Sequence, residues 1–201
     1  MSAAMPAVQA APTYCMNHKT GPIRVAVTGG PGAGKTSLLE GLKLRGYAVV
    51  PEVARGIIAD RKTGGLSPRP PLIEFAKAIV ERDVDQYEST RTGEGLIFFD
   101  RSLLDSLGML AHLDQLADAE KRRFLEQYPY HSTAFILPPW REIYRTDSER
   151  DQSYEEAVRV YQSLREWYVQ CGYNLIDVPK GTIDERCEFV LQSLGERRVD
   201  A

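Results

Sequence analysis

From Ile23 onward, short apolar runs alternate with longer stretches whose apolar residues recur every three or four positions. Ile23-Arg24-Val25-Ala26-Val27-Thr28 is rich in β-branched residues and stops at glycines, as a buried parallel strand does. Leu38, Leu39, Leu42 and Leu44 then keep helical spacing until Gly46, which predicts a helix from Lys35 to Arg45. Tyr47 to Val50 predicts a second strand, and Glu52 to Arg61 a short helix. Lys62 to Pro71, with its glycines and prolines, predicts a loop. Leu72, Phe75, Ala76, Ile79, Val80, Val84 and Tyr87 share one helical face, so a long amphipathic helix is expected from Pro71 to about Arg91.

Leu96-Ile97-Phe98-Phe99 is the most apolar run and predicts a third strand at the centre of the sheet, followed by two short helices. Thr133 to Leu137 predicts a fourth strand, closed by Pro138-Pro139, and Tyr173 to Asp177 a fifth. Ser153 with Glu156 and Thr182 with Glu185 have the spacing of capping boxes, each opening a helix. Tyr154, Tyr161 and Tyr168 repeat along the first of these, as a core-packing stripe would. Strands alternating with helices predict an α/β fold, a parallel sheet covered on both faces with ligands at the carboxyl ends of its strands.

Composition narrows the picture. Hydrophobic residues make up 43% of the 201, enough for one packed core, so one domain is expected over residues 21–201. Met1 to Thr20 reads as a disordered Ala/Pro-rich tail. Lys and Arg number 25 against 28 Asp and Glu, a net charge of −3 with none of the basic excess of a nucleic-acid binder. No apolar run reaches the ~18 residues of a membrane span. Cys15, Cys171 and Cys187 form neither a CxxC nor a Cys/His ligand pattern, which fits reduced thiols and a cytoplasmic protein.

The strongest chemical signal is Gly29-Gly30-Pro31-Gly32-Ala33-Gly34-Lys35-Thr36, a GxxxxGK[ST] loop between a predicted strand and a predicted helix. Glycines let successive backbone N–H groups turn inward around phosphates, and the helix N-terminus adds its own free N–H groups. Gly30, Pro31, Gly32, Ala33, Gly34, Lys35, Thr36 and Ser37 are the candidate nucleotide-binding residues. In this motif the lysine reaches the β- and γ-phosphates and the hydroxyl of the next residue binds Mg²⁺. Asp100, directly after the third strand, is the second candidate Mg²⁺ ligand; the competing reading is a helix-capping aspartate.

An AAA+ ATPase places a second acid immediately after that aspartate to polarise water, whereas here Arg101 and Ser102 follow. A cation there suits a phosphoryl group in flight. Glu52, just past the second strand, would project over the strand ends and could accept a proton from an attacking hydroxyl. The alternatives are a helix-dipole interaction or an ion pair with Arg55. Arg141 and Arg145 are four apart, so on a helix they would present two guanidinium groups to one side, as a lid over ATP phosphates does; pairing of Arg145 with Glu149 is the competing reading. His18, His112 and His131 lack partnering motifs, and no HExxH, GxSxG or Rossmann glycine pattern occurs. Without an Asn/Thr-Lys-x-Asp element, ATP is favoured over GTP.

These residues resemble the P-loop kinase superfamily. Over about Ile23 to Leu194 the chain is similar to small bacterial AAA-type ATP-binding proteins related to the ribosylnicotinamide kinase domain of bifunctional NAD regulators. The resemblance rests on GGPGAGKT at 29–36, VVPEVAR at 49–55, FFDRS at 98–102, PPWREIYRTDSER at 138–150 and VPKGTIDER at 178–186. It implies a three-layer α/β/α fold with strand order 2-3-1-4-5 and a lid. It also implies Glu52 as general base, Asp100-Arg101-Ser102 as the acid-Arg-Ser triplet, Arg141 and Arg145 as lid arginines, and Val178 to Lys180 beside the adenine. Ile57 to Tyr87 should form the acceptor side, though no base-pocket motif stands out there.

The resulting expectation is an ATP- and Mg²⁺-dependent phosphotransferase acting on a small nucleoside- or nucleotide-like acceptor, with Lys35, Glu52, Asp100, Arg101, Arg141 and Arg145 as catalytic residues. The alternative is a regulatory ATPase with a protein partner.

Overall fold

The computed structural model describes residues 21–67, 70–144 and 153–195. Met1 to Thr20 and Arg145, both singled out above, lie outside the described residues. Five strands, β1 (Ile23–Gly29), β2 (Ala48–Val50), β3 (Leu96–Asp100), β4 (Thr133–Leu137) and β5 (Asn174–Asp177), pair in parallel in the order β2-β3-β1-β4-β5. β1, and not the more apolar β3, holds the central place. β3 lies beside it, with Val27 opposite Asp100.

The described helices are α1 (Lys35–Leu44), α2 (Val53–Thr63), α3 (Leu72–Ser89), α4 (Leu103–His112), α5 (Asp118–Gln127), α6 (Tyr154–Gln170) and α7 (Ile183–Ser193). α2 runs two residues further than the pattern suggests, because Gly64 provides the stop. Successive strand residues face opposite sides of the sheet. Val25, Val27, Phe98 and Phe135 pack with Leu38 and Leu42 of α1 and Val190 of α7 on one side. Ala26, Ile97, Phe99 and Ala134 pack with Ala76 and Val80 of α3, Leu104 and Leu107 of α4 and Tyr168 of α6 on the other. The result is the three-layer α/β/α arrangement. Burying side chains such as Phe98 and Phe135, both fully inaccessible, contributes ~1.5–3 kcal/mol each.

Both expected capping boxes form, and a third, Ser102 with Asp105, opens α4. The cap is therefore Ser102, which releases Asp100 from the capping role. Of the tyrosine stripe only Tyr168 is core. Its hydroxyl donates to Asp105 Oδ2 at 2.7 Å and meets Ser102 Oγ at 2.9 Å, tying α6 to the start of α4. Tyr161 instead bonds Asp177 at the surface, and Tyr154 lies edge-on to Tyr144.

Candidate active site

The chain leaves the central strand through Gly30 to Gly34 and enters α1 at Lys35. Gly32 at φ +70° and Gly34 at φ +83° are in the left-handed region, where a Cβ is strained, so the glycines are required by the turn itself. Gly30 is required by proximity: a Cβ there would stand 2.7 Å from the Ala157 carbonyl oxygen of α6. Gly30→Ala is expected to push the loop off α6, costing ~1–3 kcal/mol of stability and weakening ATP binding, read by thermal melting and nucleotide titration.

Lys35 curls back over the loop, its Nζ donating to Gly29 O at 3.2 Å and Gly30 O at 3.4 Å. It is 8% exposed. Burial, aided by Arg101, lowers its pKa to about 8, against the pull of Asp100, Glu52 and Asp105. Thr36 and Ser37 line the same cleft, and Thr36 is exposed. The glycine loop, Lys35 and Thr36 thus come together at one end of the cleft.

At the end of β3, Asp100 turns a buried Oδ1 toward no protein donor among the described residues. Burial raises its pKa, opposed by Lys35 and reinforced by Glu52. It shares a hollow with Thr36 and Glu52. An orphaned carboxylate oxygen in that company fits Mg²⁺, which takes one or two carboxylates and completes its shell with phosphates and water. Among the described residues no group of three or more His, Cys, Asp or Glu forms a self-sufficient metal cage.

Arg101 follows at φ +67°, uncommon for a residue with a side chain, and its N–H donates to Val27 O at 2.9 Å. This twist sends the guanidinium back across the cleft. Its Nε donates to Glu52 Oε1 at 3.1 Å and its Nη1 to Asp105 Oδ1 at 3.2 Å. Burial disfavours its charge, but Glu52, Asp105 and Asp100 outweigh burial and raise its pKa. Glu52 stands just before α2 without capping it and receives Arg55 Nε on its other oxygen at 3.0 Å. Burial pushes the Glu52 carboxyl upward, yet Arg101, Lys35 and Arg55 together bring it below its ordinary value. The ion pair with Arg55 does form, and it coexists with the place over the strand ends.

A family of proteins described as AAA domain matches this chain over residues 24–186. The chain belongs to that AAA domain family. Among curated proteins no match is found. Solved structures similar to it include several kinases. Deoxyadenosine kinase from M. mycoides with bound dATP has a TM-score of 0.59 at 16% identity, covering 87% of this chain and 100% of its own. NadR in complex with NR has a TM-score of 0.61 at 15% identity, covering 90% of this chain and 54% of its own. Shikimate kinase from Aquifex aeolicus has a TM-score of 0.52 at 16% identity, covering 86% and 96%. These likenesses carry the fold.

In this AAA domain the lid expectation falls on described residues only at Arg141. The residues after Pro139 form a turn, not a helix, with Ile143 N–H on Trp140 O and Tyr144 N–H on Arg141 O, both at 3.3 Å. Arg141 is exposed, 5.1 Å from the centre of the Tyr154 ring, and is absent from the cleft lining. Val178 is likewise a core residue, 1% exposed. The cleft wall on that side is made by Trp140, Gly181, Thr182, Ile183 and Arg186.

Sequence reasoning missed several of these residues. Arg186, 4% exposed, donates from Nη1 to Gly34 O at 3.2 Å and lies 5.7 Å from the Trp140 ring centre. Its Nε is buried with no partner among the described residues, and burial lowers its pKa. The signal was a charge four residues before Val190, on the apolar side of α7. Asp105 was legible as the second half of Ser102-x-x-Asp105, a capping box that also feeds the cleft. Asp83 was legible as a carboxylate four residues from both Ile79 and Tyr87, inside an apolar stripe.

Proposed function

We propose that this protein is an ATP- and Mg²⁺-dependent kinase that transfers the γ-phosphoryl group to a hydroxyl of a small nucleoside-like acceptor. The observation that carries this reading is the shape of the cleft. Of about 1860 Å³, it continues past Glu52 and Arg101 into an apolar pouch between α2, α3 and α4, walled by Leu72, Phe75, Ile79 and Met109. Hydrolysis needs room for one water, whereas transfer needs room for a second molecule. The fold likeness to deoxyadenosine kinase and to NadR bound to NR supports a nucleoside-type acceptor.

In this reading the Gly30 to Gly34 amides, with Lys35, Thr36 and Ser37, hold the ATP phosphates. Lys35 exchanges the Gly29 and Gly30 carbonyls for phosphate oxygens, which restores the environment that favours its charge. Thr36 and Asp100 would hold Mg²⁺, which would supply positive charge against the ATP phosphates. Glu52 is ionised at neutral pH and takes the proton of the acceptor hydroxyl as that oxygen bonds to the γ-phosphorus. The bond from that phosphorus to the bridging oxygen breaks, leaving ADP. Arg101 fixes the Glu52 carboxylate and places positive charge beside the group in transfer. Trp140 and Arg186 offer the adenine a planar cation and ring at the cradle's outer wall.

Among the described residues no helix is long and apolar enough to cross a membrane, and a cytoplasmic site of action is part of this proposal. Its test is the rate of ATP consumption by the purified protein without acceptor, then with nucleosides added singly. Slow basal hydrolysis, raised by an acceptor that becomes phosphorylated, is the expected result. Brisk hydrolysis indifferent to every acceptor would contradict it.

A further inference from the structure

The pouch that would receive the acceptor has one feature that phosphate transfer does not use. Asp83 of α3 lines it, 9% exposed, on the face of that helix that otherwise carries Phe75, Ile79 and Tyr87. Ser106 Oγ of α4 donates to its Oδ2 at 2.6 Å. The other oxygen receives no hydrogen bond among the described residues, and unlike that of Asp100 it is not a sealed buried atom. Among the described residues no ion pair to Asp83 forms: Arg101 is engaged by Glu52 and Asp105, Arg55 by Glu52, and Arg82 by Asp60, while Lys62 at the cleft is exposed. A carboxylate at an apolar wall with a single neutral donor is costly unless a ligand completes it.

We propose that Asp83 selects the acceptor, its carboxylate receiving an N–H donor on the ring of the molecule whose hydroxyl is presented to Glu52. Phe75, Ile79 and Met109 suit the faces of such a ring, and Asp83, on the same helix face as Phe75 and Ile79, can fix its orientation. The assignment rests on the kinase reading above and names the chemistry of its acceptor. Burial lifts the Asp83 pKa to about 7, against the Ser106 bond and the charge of Arg101, with repulsion from Asp105 and Glu52 added. A ligand donor, neutral or cationic, would favour the ionised form.

The test uses matched acceptors that differ by the donor: adenosine against purine riboside, and cytidine against its analogue lacking the amino group, with nicotinamide riboside as a cationic ring. Phosphorylation by the full chain is compared among wild type, Asp83→Leu and Asp83→Asn, with thermal melting as the check on folding. The single Ser106 hydroxyl hydrogen can turn to Leu103 O, 3.0 Å away, when Asp83 is replaced. Wild type is expected to prefer the amino-bearing member of at least one pair, or nicotinamide riboside, by about tenfold or more, as a hydrogen bond to a charged group would give. Asp83→Leu is expected to bring that preference to within about twofold of unity. Asp83→Asn separates the two sources, retaining a preference for a neutral amine and losing one for a cation.

A wild-type protein indifferent to the donor, or a preference that survives Asp83→Leu, overturns the assignment while leaving the transfer reading intact. Should no compound be phosphorylated, thermal shift on the same panel decides. Asp83-dependent stabilisation supports the assignment and defeats transfer, and no stabilisation by any compound overturns the assignment.

Discussion

Glu52→Gln is expected to lower acceptor-dependent turnover by ~10²–10⁴-fold, the range for removing a general base, while ATP still binds. The amide matches the carboxylate in size and can still accept from one of Arg101 and Arg55, which now donate at 3.1 Å and 3.0 Å. Only the proton-accepting charge is lost. The comparison to make is kcat against ATP affinity. A fall in kcat with unchanged affinity supports the base role, and lost affinity with turnover unimpaired at saturating ATP would show that Glu52 merely organises the cradle. Because Arg101, Lys35 and Arg55 depress the Glu52 pKa despite its burial, wild-type activity limited by this base should fall only when the pH drops below the ordinary glutamate range.

Arg101→Ala is expected to remove both activity and stability. The guanidinium joins Glu52 at the end of β2 to Asp105 in α4, and its side chain is only 25% exposed. Without it two carboxylates remain partly buried and less compensated, a change that costs about 3 kcal/mol. Urea unfolding checks this value. Asp105 is cushioned by Thr28 Oγ1 at 2.5 Å and Tyr168, so most of the repulsion falls on Glu52 and Asp100. Turnover should drop by ~10²-fold or more, as when one donor to a developing charge is lost. Arg101→Lys keeps the charge but not the fork that spans Glu52 and Asp105, and should recover stability better than turnover. An Arg101→Ala protein as active as wild type would remove Arg101 from the site.

The sheet was legible because its strands are short β-branched or aromatic runs ended by glycine, proline or acid, and the helices because their apolar stripes are long. The central place of β1 was legible through the family resemblance, which implies the order 2-3-1-4-5, whereas hydrophobicity alone favours β3. The glycine loop between β1 and α1 was legible in full, as its glycines, Lys35 and Thr36 are contiguous. Glu52, Asp100 and Arg101 were legible as residues at strand ends, but their mutual bonds depend on the positive φ of Arg101, which no local pattern announces.

Of the two lid candidates Arg141 stands in an exposed turn and Arg145 lies outside the described residues, so their shared face is not read from this structure. Asp83 and Arg186 escaped notice because each is a single charge inside an apolar stripe. What distinguishes them from surface charges is the cleft they face, which exists only after α3 and α7 have packed.

The central claim is that phosphoryl transfer, not hydrolysis, is the reaction of this cleft. It is tested most directly with ATP carrying ¹⁸O on its γ-phosphoryl oxygens, incubated with the protein, Mg²⁺ and the nucleoside panel, with products read by mass spectrometry. Recovery of the labelled phosphoryl group on a nucleoside hydroxyl is the result the account predicts. Label found solely in inorganic phosphate, at a rate no nucleoside alters, would contradict it.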